Sequence, residues 1–174
     1  MKIIKIYTDG AYKPSTNIGA AAFLIYQDNQ FLCESAKSYN DVDKNSSNCM
    51  ELQAAINAFN WLRSSKIDTN NVIIYVYTDS QIVQVTMSTW IHKWKENNWK
   101  NSRNRTPAHI DMWIYFYNLL QNHFGTVYFN WIEGHNGDEN NTRVDKLCKT
   151  VINAGKYEKI KIYRSGIHKF RKPS

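Results

Sequence analysis

The sequence predicts an α/β fold: a mixed five-stranded sheet, made of an antiparallel three-strand meander plus parallel strands, with helices on both faces. Two observations lead to this prediction. Three β-rich runs separated by short turn signals open the chain, and strands joined in that way pair antiparallel. After them, segments with apolar residues at helical spacing alternate with two more β-rich runs, which favours parallel strands covered by helices.

The strands are recognised by their β-branched and aromatic residues. The five predicted strands cover residues 3–8, 19–26, 31–39, 72–77 and 127–132. Residues 27–30 read Gln-Asp-Asn-Gln and are a turn signal between the second and third strands. Residues 72–77 are a continuous β-branched and aromatic run, which is typical of a central strand covered on both faces.

The helices are recognised by apolar residues that recur every three or four positions. Four helical segments are predicted: residues 50–63, residues 79–87, a segment that ends near 123, and residues 141–154. Ser47 and Asn48 precede the first segment as capping-type residues. Thr106 and Pro107 are expected to start the third segment as its N-cap and first-turn proline.

The chain is predicted to contain one domain over residues 1–154 and a basic tail over residues 155–174. Within the domain, residues 88–106 form a tryptophan-rich basic segment that is predicted to contain a short helix and an extended loop. Residues 92–105 carry a net charge of +4 and the tail +6, while the whole chain carries +7, so the remainder is net negative. Basic appendages on an acidic body suit a polyanionic partner, and solubility alone is the other explanation.

Composition excludes several classes of protein. With 174 residues, 43% of them hydrophobic, the chain can bury a core, yet no apolar run approaches the roughly 20 residues of a membrane span. The first residues lack the apolar core of a signal peptide. Three widely spaced cysteines indicate reduced thiols. We expect a cytoplasmic monomer without a membrane partner.

Four acidic residues lie where elements of the predicted core begin or end. Asp9 and Asp79 follow the first and fourth predicted strands, and adjacent parallel strands would bring them to one edge of the sheet. Glu51 and Asp145 lie in the first turns of their predicted helices. Each alone is explained as a turn, cap or helix-dipole residue. Together they would repel one another unless divalent cations bound them, and oxygen ligands favour Mg²⁺ or Mn²⁺ over Zn²⁺.

Five short motifs follow one another in the sequence. They are Thr8-Asp9-Gly10, Met50-Glu51-Leu52, Thr78-Asp79-Ser80-Gln81, Gly134-His135-Asn136-Gly137 and Arg143-Val144-Asp145, the last preceded by Asn141. In this order and with these spacings they resemble the pattern of the type 1 ribonucleases H. The segment from Trp90 to Lys100 resembles that family's basic protrusion. The resemblance covers roughly residues 1–154 and implies the ribonuclease H-like fold.

The resemblance implies an endonuclease that hydrolyses the RNA strand of RNA–DNA hybrids and leaves 5′-phosphate and 3′-hydroxyl ends. Asp9, Glu51, Asp79 and Asp145 would hold two Mg²⁺ ions, for which Mn²⁺ can substitute. His135 would shuttle a proton or help the product leave, because its loop contains glycines and imidazoles titrate near neutral pH. Without the resemblance, a histidine in such a loop is read as a surface residue.

Substrate contacts are implied as well. Asn48, Gln81 and Asn141 occupy family positions near the scissile phosphate, although helix capping also explains Asn48 and Asn141. Along the protrusion, the DNA strand is expected to contact aromatic and basic side chains. These side chains belong to Trp90, Lys93, Trp94, Lys95 and Lys100. Trp90 is expected to reach the deoxyribose side and Trp99 to pack within the protrusion. The basic tail has no counterpart in the family pattern, and we expect it to raise the non-specific affinity for nucleic acid.

Three other functions are open from the sequence. An integrase or junction resolvase shares the sheet and the carboxylates, but the His135 loop and the protrusion favour a ribonuclease H. A non-catalytic hybrid-binding module predicts at least one missing carboxylate, and all four are present. A serine or cysteine hydrolase is disfavoured, since neither Ser80 nor Cys49 lies in a nucleophile–histidine signature.

Overall fold

The protein is described here from a computed structural model that covers residues 1–40 and 46–155. The basic tail predicted over residues 155–174 lies outside the described residues after Gly155. The sheet has the strand order β3-β2-β1-β4-β5. Its strands are β1 (Lys2–Lys13), β2 (Ile18–Gln27), β3 (Gln30–Tyr39), β4 (Val72–Thr78) and β5 (Thr126–Trp131). The first three pair antiparallel, and β4 pairs parallel with both β1 and β5, which confirms the predicted mixed sheet.

Helices cover both faces of the sheet. They are α1 (Ser47–Ser64), α2 (Gln81–Val85), a π-helical turn (Thr86–Trp90), α3 (Ile91–Glu96), α4 (Ile110–His123) and α5 (Glu139–Asn153). The main core lies on one face, where Phe59 of α1 and Phe116 of α4 pack in a tilted ring contact. On the other face, Val144 and Cys148 of α5 pack against alanines and Leu24 of β2. The helices on both faces confirm the predicted layering.

Strand β1 is longer than predicted, and this changes the position of Asp9. The parallel pairing with β4 stops at Thr8 opposite Thr78, as expected. The antiparallel pairing with β2 continues to Lys13, so that Asp9 lies opposite Ala22 within the strand. The prediction that Asp9 follows the strand was therefore wrong. Asp9 nevertheless lies at the point where β1 loses its parallel neighbour, because β4 ends there.

The helix starts also differ from the predictions. The Ser46 hydroxyl accepts a hydrogen bond from the Cys49 amide at 3.2 Å and caps α1, so Ser47 and Asn48 are inside the helix. The N-cap of α4 is His109, so the predicted start at residues 106–107 was wrong. Capping residues are common in this polar sequence, and only the backbone geometry shows which one is used.

Two of the acidic residues consequently lie deeper in their helices than predicted. Glu51 is beyond the first turn of α1, which has no acidic residue. Asp145 is beyond the first turn of α5, which starts after its N-cap Asp138 and contains Glu139. Interaction with the helix dipole falls off within the first turn, so it does not explain either carboxylate. The prediction that both residues lie in the first turns of their helices was therefore wrong. Their positions are not explained by an interaction with the helix dipole.

The segment after Asp79 is helical as far as Glu96. A helix to about residue 87 and a further short helix in the tryptophan-rich segment were predicted, and the structure joins them, because α2 continues through the π-helical turn into α3. Among the residues that the structure describes, no helix is both long and apolar enough to cross a membrane. The cysteines at 33, 49 and 148 are all described, and none of them forms a disulfide bond.

Candidate active site

Three of the predicted carboxylates meet at one edge of the sheet. Asp9 of β1, Glu51 of α1 and Asp79, directly after β4, each offer an oxygen, and these oxygens lie within 4.8 Å of one another. We call these three residues the carboxylate cluster. Asp9 is 5% exposed and Glu51 is 8% exposed, so both are largely removed from water. The predicted convergence of residues distant in the sequence is therefore found for these three.

The cluster forms because β1 and α1 approach each other closely at Gly10. A Cβ atom at Gly10 would lie 2.2 Å from the amide nitrogen of Glu51 and 2.3 Å from the carbonyl carbon of Met50. Real Cβ atoms essentially never approach so closely, so only glycine fits between the two backbones. The Gly10 amide also donates hydrogen bonds to the carboxylates of Asp9 and Glu51. Residue 10 thus brings the first two carboxylates together.

Burial and mutual repulsion raise the pKa of the clustered carboxyl groups. Burial is the largest cause that raises the pKa of Asp9 to about 7, followed by the negative charges of Asp79 and Asp145. Burial, followed by the charge of Asp9, raises the pKa of Glu51 well above its usual range. Oε2 of Glu51 is buried and has no hydrogen-bond partner among the described residues. The clustered carboxyl groups repel one another, and a divalent cation would balance their negative charge.

Asp79 is held by contacts from the other side of the site. Burial raises the pKa of Asp79, and a hydrogen bond from the Asn141 side chain and the charge of His135 oppose that increase. The indole Nε1 of Trp131 donates a hydrogen bond to the backbone carbonyl of Asp79 at 3.0 Å. Asn141 and His135 therefore both lie close enough to Asp79 to influence its charge.

The fourth carboxylate, Asp145, is close to the cluster but is not one of the three mutually adjacent groups. Its negative charge raises the pKa values of both Asp9 and Asp79. Its Oδ2 atom lies 2.6 Å from Nζ of Lys149, one helical turn further along α5. The i,i+4 spacing of these two residues is visible in the sequence, but Lys149 was not among the predicted site residues.

His135 and the predicted RNA-contacting residues differ in their surroundings. His135 is exposed and has a φ of 59°, a backbone conformation that is uncommon for residues other than glycine. Asn141 is 5% exposed, whereas Asn48 and Gln81 are exposed. The caps of α1 and α5 are Ser46 and Asp138, so helix capping was the wrong explanation for Asn48 and Asn141.

The tryptophan-rich segment contains both exposed and core residues. Trp90 is 40% exposed, while Trp94 is 9% exposed and belongs to the main core. Both line a groove of about 560 Å³, which we call the protrusion groove. Its other lining residues include Lys93, Asn97, Lys100 and Arg103. Arg103 was not among the predicted contacts. The groove combines an aromatic surface with basic side chains, as stacking on a nucleic-acid strand requires.

Two other residues of this segment, Lys95 and Trp99, do not line the protrusion groove and contact Tyr117 of α4. Trp99 makes an edge-to-face contact with Tyr117, with ring centroids 5.7 Å apart, so its predicted packing within the protrusion was wrong. Trp99 lies three residues after the end of α3 and adopts a φ of 61°. Nζ of Lys95 lies 3.3 Å from the Tyr117 hydroxyl and 5.0 Å from its ring centroid. Lys95 therefore packs on α4, and it is not among the residues that line the protrusion groove.

Comparison with known proteins identifies the family. The RNase H family model matches residues 1–153. The chain is 35% identical over 164 residues to the ribonuclease H of Orientia tsutsugamushi (strain Boryong), an alignment that covers 93% of this chain and 87% of that protein. It is 32% identical over 145 residues to the ribonuclease HI of Rickettsia prowazekii (strain Madrid E), which covers 83% and 88% of the two chains.

Solved structures share the fold. LC9-RNase H1, a type 1 RNase H with the type 2 active-site motif, superimposes with a TM-score of 0.72 at 19% identity, over 97% of this chain and 80% of that one. LC11-RNase H1, solved in complex with an RNA/DNA hybrid, superimposes with a TM-score of 0.68 at 19% identity, over 87% and 97%. The chain therefore belongs to the ribonuclease H family, is a ribonuclease, and has the fold of the type 1 enzymes.

Proposed function

We propose that this ribonuclease hydrolyses the RNA strand of RNA–DNA hybrids in a reaction that depends on Mg²⁺. The observation that carries the proposal is the carboxylate cluster, in which three acidic side chains within 4.8 Å share a largely buried edge of the sheet. Such a group is costly without a cation and is suited to holding one against a phosphodiester. Membership of the ribonuclease H family and the hybrid bound to LC11-RNase H1 support this substrate.

The residues present fit a hard divalent cation. The site offers carboxylate oxygens as ligands, Oε2 of Glu51 has no hydrogen-bond partner among the described residues, and the three cysteines are not part of the cluster. Oxygen-only sites favour Mg²⁺ and Mn²⁺ over Zn²⁺. Asp9, Glu51 and Asp79 would hold the metal, and Asp145 would join them after releasing Lys149. We propose that two ions bind and that Mn²⁺ can replace Mg²⁺.

When bound, the two ions would supply an activated water and stabilise the departing 3′ oxygen, which leaves 5′-phosphate and 3′-hydroxyl ends. The chain's own residues would do the remaining work. Asp9 and Glu51 would form the rigid side of the site, because Gly10 fixes their spacing. His135 is exposed beside Asp79 and would exchange a proton with the leaving group or assist product release.

Strand selection would come from groups on either side of the cluster. Asn48, Gln81 and Asn141 carry amides that can donate to or accept from a ribose 2′-hydroxyl, which distinguishes RNA from DNA. Asn141 already contacts the Asp79 carboxylate and so links substrate binding with the metal ligands. The DNA strand would lie in the protrusion groove, against Trp90 and the neighbouring lysines.

The proposal is tested with a hybrid whose RNA and DNA strands carry different labels. We expect Mg²⁺-dependent internal cleavage of the RNA strand, an intact DNA strand, and no cleavage of duplex DNA or duplex RNA. EDTA should stop the reaction, and added Mg²⁺ or Mn²⁺ should restore it. Binding of the hybrid without cleavage under these conditions would instead identify a non-catalytic module, and cleavage of both strands would contradict the proposed substrate.

Substitution of Lys93 by alanine should weaken binding of the hybrid without slowing the chemical step. Lys93 is exposed and lines the protrusion groove, so we expect it to contact a phosphate. Losing one phosphate contact should lower the slope of log K against log salt by about 1. The measurement is fluorescence anisotropy of a labelled hybrid in metal-free buffer over a range of salt concentrations.

The matched control for Lys93 is Lys66→Ala. Lys66 is also exposed, but it follows the C-terminal end of α1, while Glu51 lies near the other end of that helix. We expect the salt dependence of this variant to match that of the unmodified protein. An equal loss of slope in both variants would show that the effect reflects net charge, and Lys93 would then have no specific contact.

A further inference from the structure

The connection between β5 and α5 passes directly beside Asp79, one residue of the carboxylate cluster. We call residues 132–138 the β5–α5 loop. The amide of Ile132 donates to the carbonyl of Thr78 at 2.9 Å, and Nε1 of Trp131 donates to the carbonyl of Asp79 at 3.0 Å. These two hydrogen bonds hold the start of the loop against the backbone of Thr78 and Asp79. The next residues of the loop therefore lie close to the Asp79 side chain.

Gly134 is the loop residue that meets the Asp79 carboxylate. A Cβ atom at Gly134 would lie 3.1 Å from Oδ2 of Asp79, 3.6 Å from its Cβ and 3.7 Å from its Cγ. The first distance is tighter than nine in ten real Cβ contacts, so the carboxylate would have to move by a few tenths of an ångström. Gly134 is not among the glycines with positive φ, so an alanine is compatible with its backbone conformation.

The Asp79 carboxylate has little freedom to move away. The Asn141 side chain is hydrogen-bonded to it, and its ligand oxygen must remain within 4.8 Å of those of Asp9 and Glu51. Rotation away from residue 134 would disturb one of these two relationships. A side chain at residue 134 would therefore act on the cluster without disturbing the core.

We propose that Gly134 is a positioning residue: the missing side chain leaves the space in which the Asp79 carboxylate faces Asp9 and Glu51. This inference rests on the proposed metal-binding function and adds to it a residue of the β5–α5 loop that would touch neither metal nor substrate. It also explains why His135 lies close to the cluster, because the loop can approach Asp79 closely only where its backbone carries no Cβ.

In the variant Gly134→Ala we expect the affinity for the metal to fall and the stability of the metal-free protein to be retained. The thermal midpoint of the metal-free protein should be unchanged or slightly higher, because alanine fits the backbone and reduces the conformational entropy of the unfolded chain. The affinity for Mn²⁺, by contrast, should fall by about tenfold or more, as is typical when a group that orients a metal ligand is disturbed. A glycine needed only for folding would show the opposite pattern.

Gly125→Ala is the matched control. Gly125 lies just before the first residue of β5. The atom nearest to a Cβ added at Gly125 would be the carbonyl oxygen of Asn70 at 3.9 Å, which is an ordinary van der Waals contact. Like Gly134, it is not among the glycines with positive φ. The same chemical change is thus made just before β5 and three residues after it, and only the second position faces the cluster.

The experiment measures Mn²⁺ binding to both variants by isothermal titration calorimetry, the thermal midpoint in EDTA, and kcat and KM for hybrid cleavage. The expected result for Gly134→Ala is weaker Mn²⁺ binding and a lower kcat, with KM and stability close to those of the unmodified protein. Mn²⁺ affinity equal to that of Gly125→Ala would overturn the proposal, as would lower stability with unchanged affinity. If the unmodified protein neither bound Mn²⁺ nor cleaved the hybrid, the proposed function itself would fail.

Discussion

Asp9→Asn is expected to abolish cleavage of the hybrid while the fold is retained. Asp9 contributes one of the three oxygens of the carboxylate cluster and is 5% exposed. An amide keeps the shape of the side chain but removes the negative charge that would hold a metal ion. Because a bound metal contributes several kcal/mol to transition-state stabilisation, the rate should fall on the order of 10³-fold or more. The measurement is single-turnover cleavage of a labelled hybrid at saturating Mg²⁺.

Asp9→Asn should also make the metal-free protein more stable, to an extent that depends on pH. Burial, followed by the charges of Asp79 and Asp145, raises the pKa of Asp9 to about 7, whereas an aspartate in an unfolded chain titrates near 3.9. Between these values the folded state binds more protons than the unfolded state, so the free energy of unfolding decreases as the pH rises through this range. The asparagine does not titrate and avoids this loss.

Urea denaturation in EDTA at about pH 4 and about pH 8 tests this expectation. The advantage of the asparagine variant should be small at the lower pH and on the order of 4 kcal/mol at the higher pH. Mg²⁺ should stabilise the unmodified protein more than the variant, because binding to the folded state alone raises stability. Near-normal cleavage by Asp9→Asn, or an advantage that shrinks as the pH rises, would contradict the role given to this residue.

Gly10→Ala is expected to cause the largest loss of stability among the substitutions considered. The added Cβ would lie 2.2 Å from the Glu51 amide nitrogen, and both neighbours are backbone atoms that cannot rotate away. Strand β1 and helix α1 would have to separate, which should cost about 3 kcal/mol as overpacking of a core does. The separation would also move Asp9 away from Glu51, so cleavage should fall even at temperatures where the variant is folded.

The measurement for Gly10→Ala is the free energy of unfolding in urea, together with cleavage at a temperature well below the thermal midpoint. Gly125→Ala serves again as the control, since an added Cβ there meets only an ordinary contact. A variant with the stability of the unmodified protein would show that β1 and α1 are not in contact at residue 10. Lower stability with full activity would show that the spacing of Asp9 and Glu51 does not depend on this contact.

Much of the molecule could be predicted from local sequence patterns. The alternation of β-rich runs with helical segments predicted five strands and a mixed sheet, and both are found. The acidic motifs predicted that Asp9, Glu51, Asp79 and Asp145 would converge, and the oxygens of the first three lie within 4.8 Å of one another, while Asp145 is not one of this group. These predictions succeed because apolar periodicity depends on which side chains must be buried, and parallel strands bring their carboxyl ends to one edge.

Other features depend on contacts between segments that are distant in the sequence. The extension of β1 beyond Thr8 follows from its pairing with β2, and the packing of Trp99 on Tyr117 follows from the position of α4. No pattern in the sequence indicates that a Cβ at Gly10 would meet Glu51 or that one at Gly134 would meet Asp79.

The sequence by itself therefore determined the fold class, the family resemblance and the identity of the acidic residues, because these depend on residue type and spacing along the chain. Tertiary packing alone showed that Asp145 lies outside the group of three mutually adjacent carboxylates and that Glu51 has an unpartnered buried oxygen among the described residues. The strength of an electrostatic interaction depends on distance and on exclusion of water, and both are properties of the folded chain.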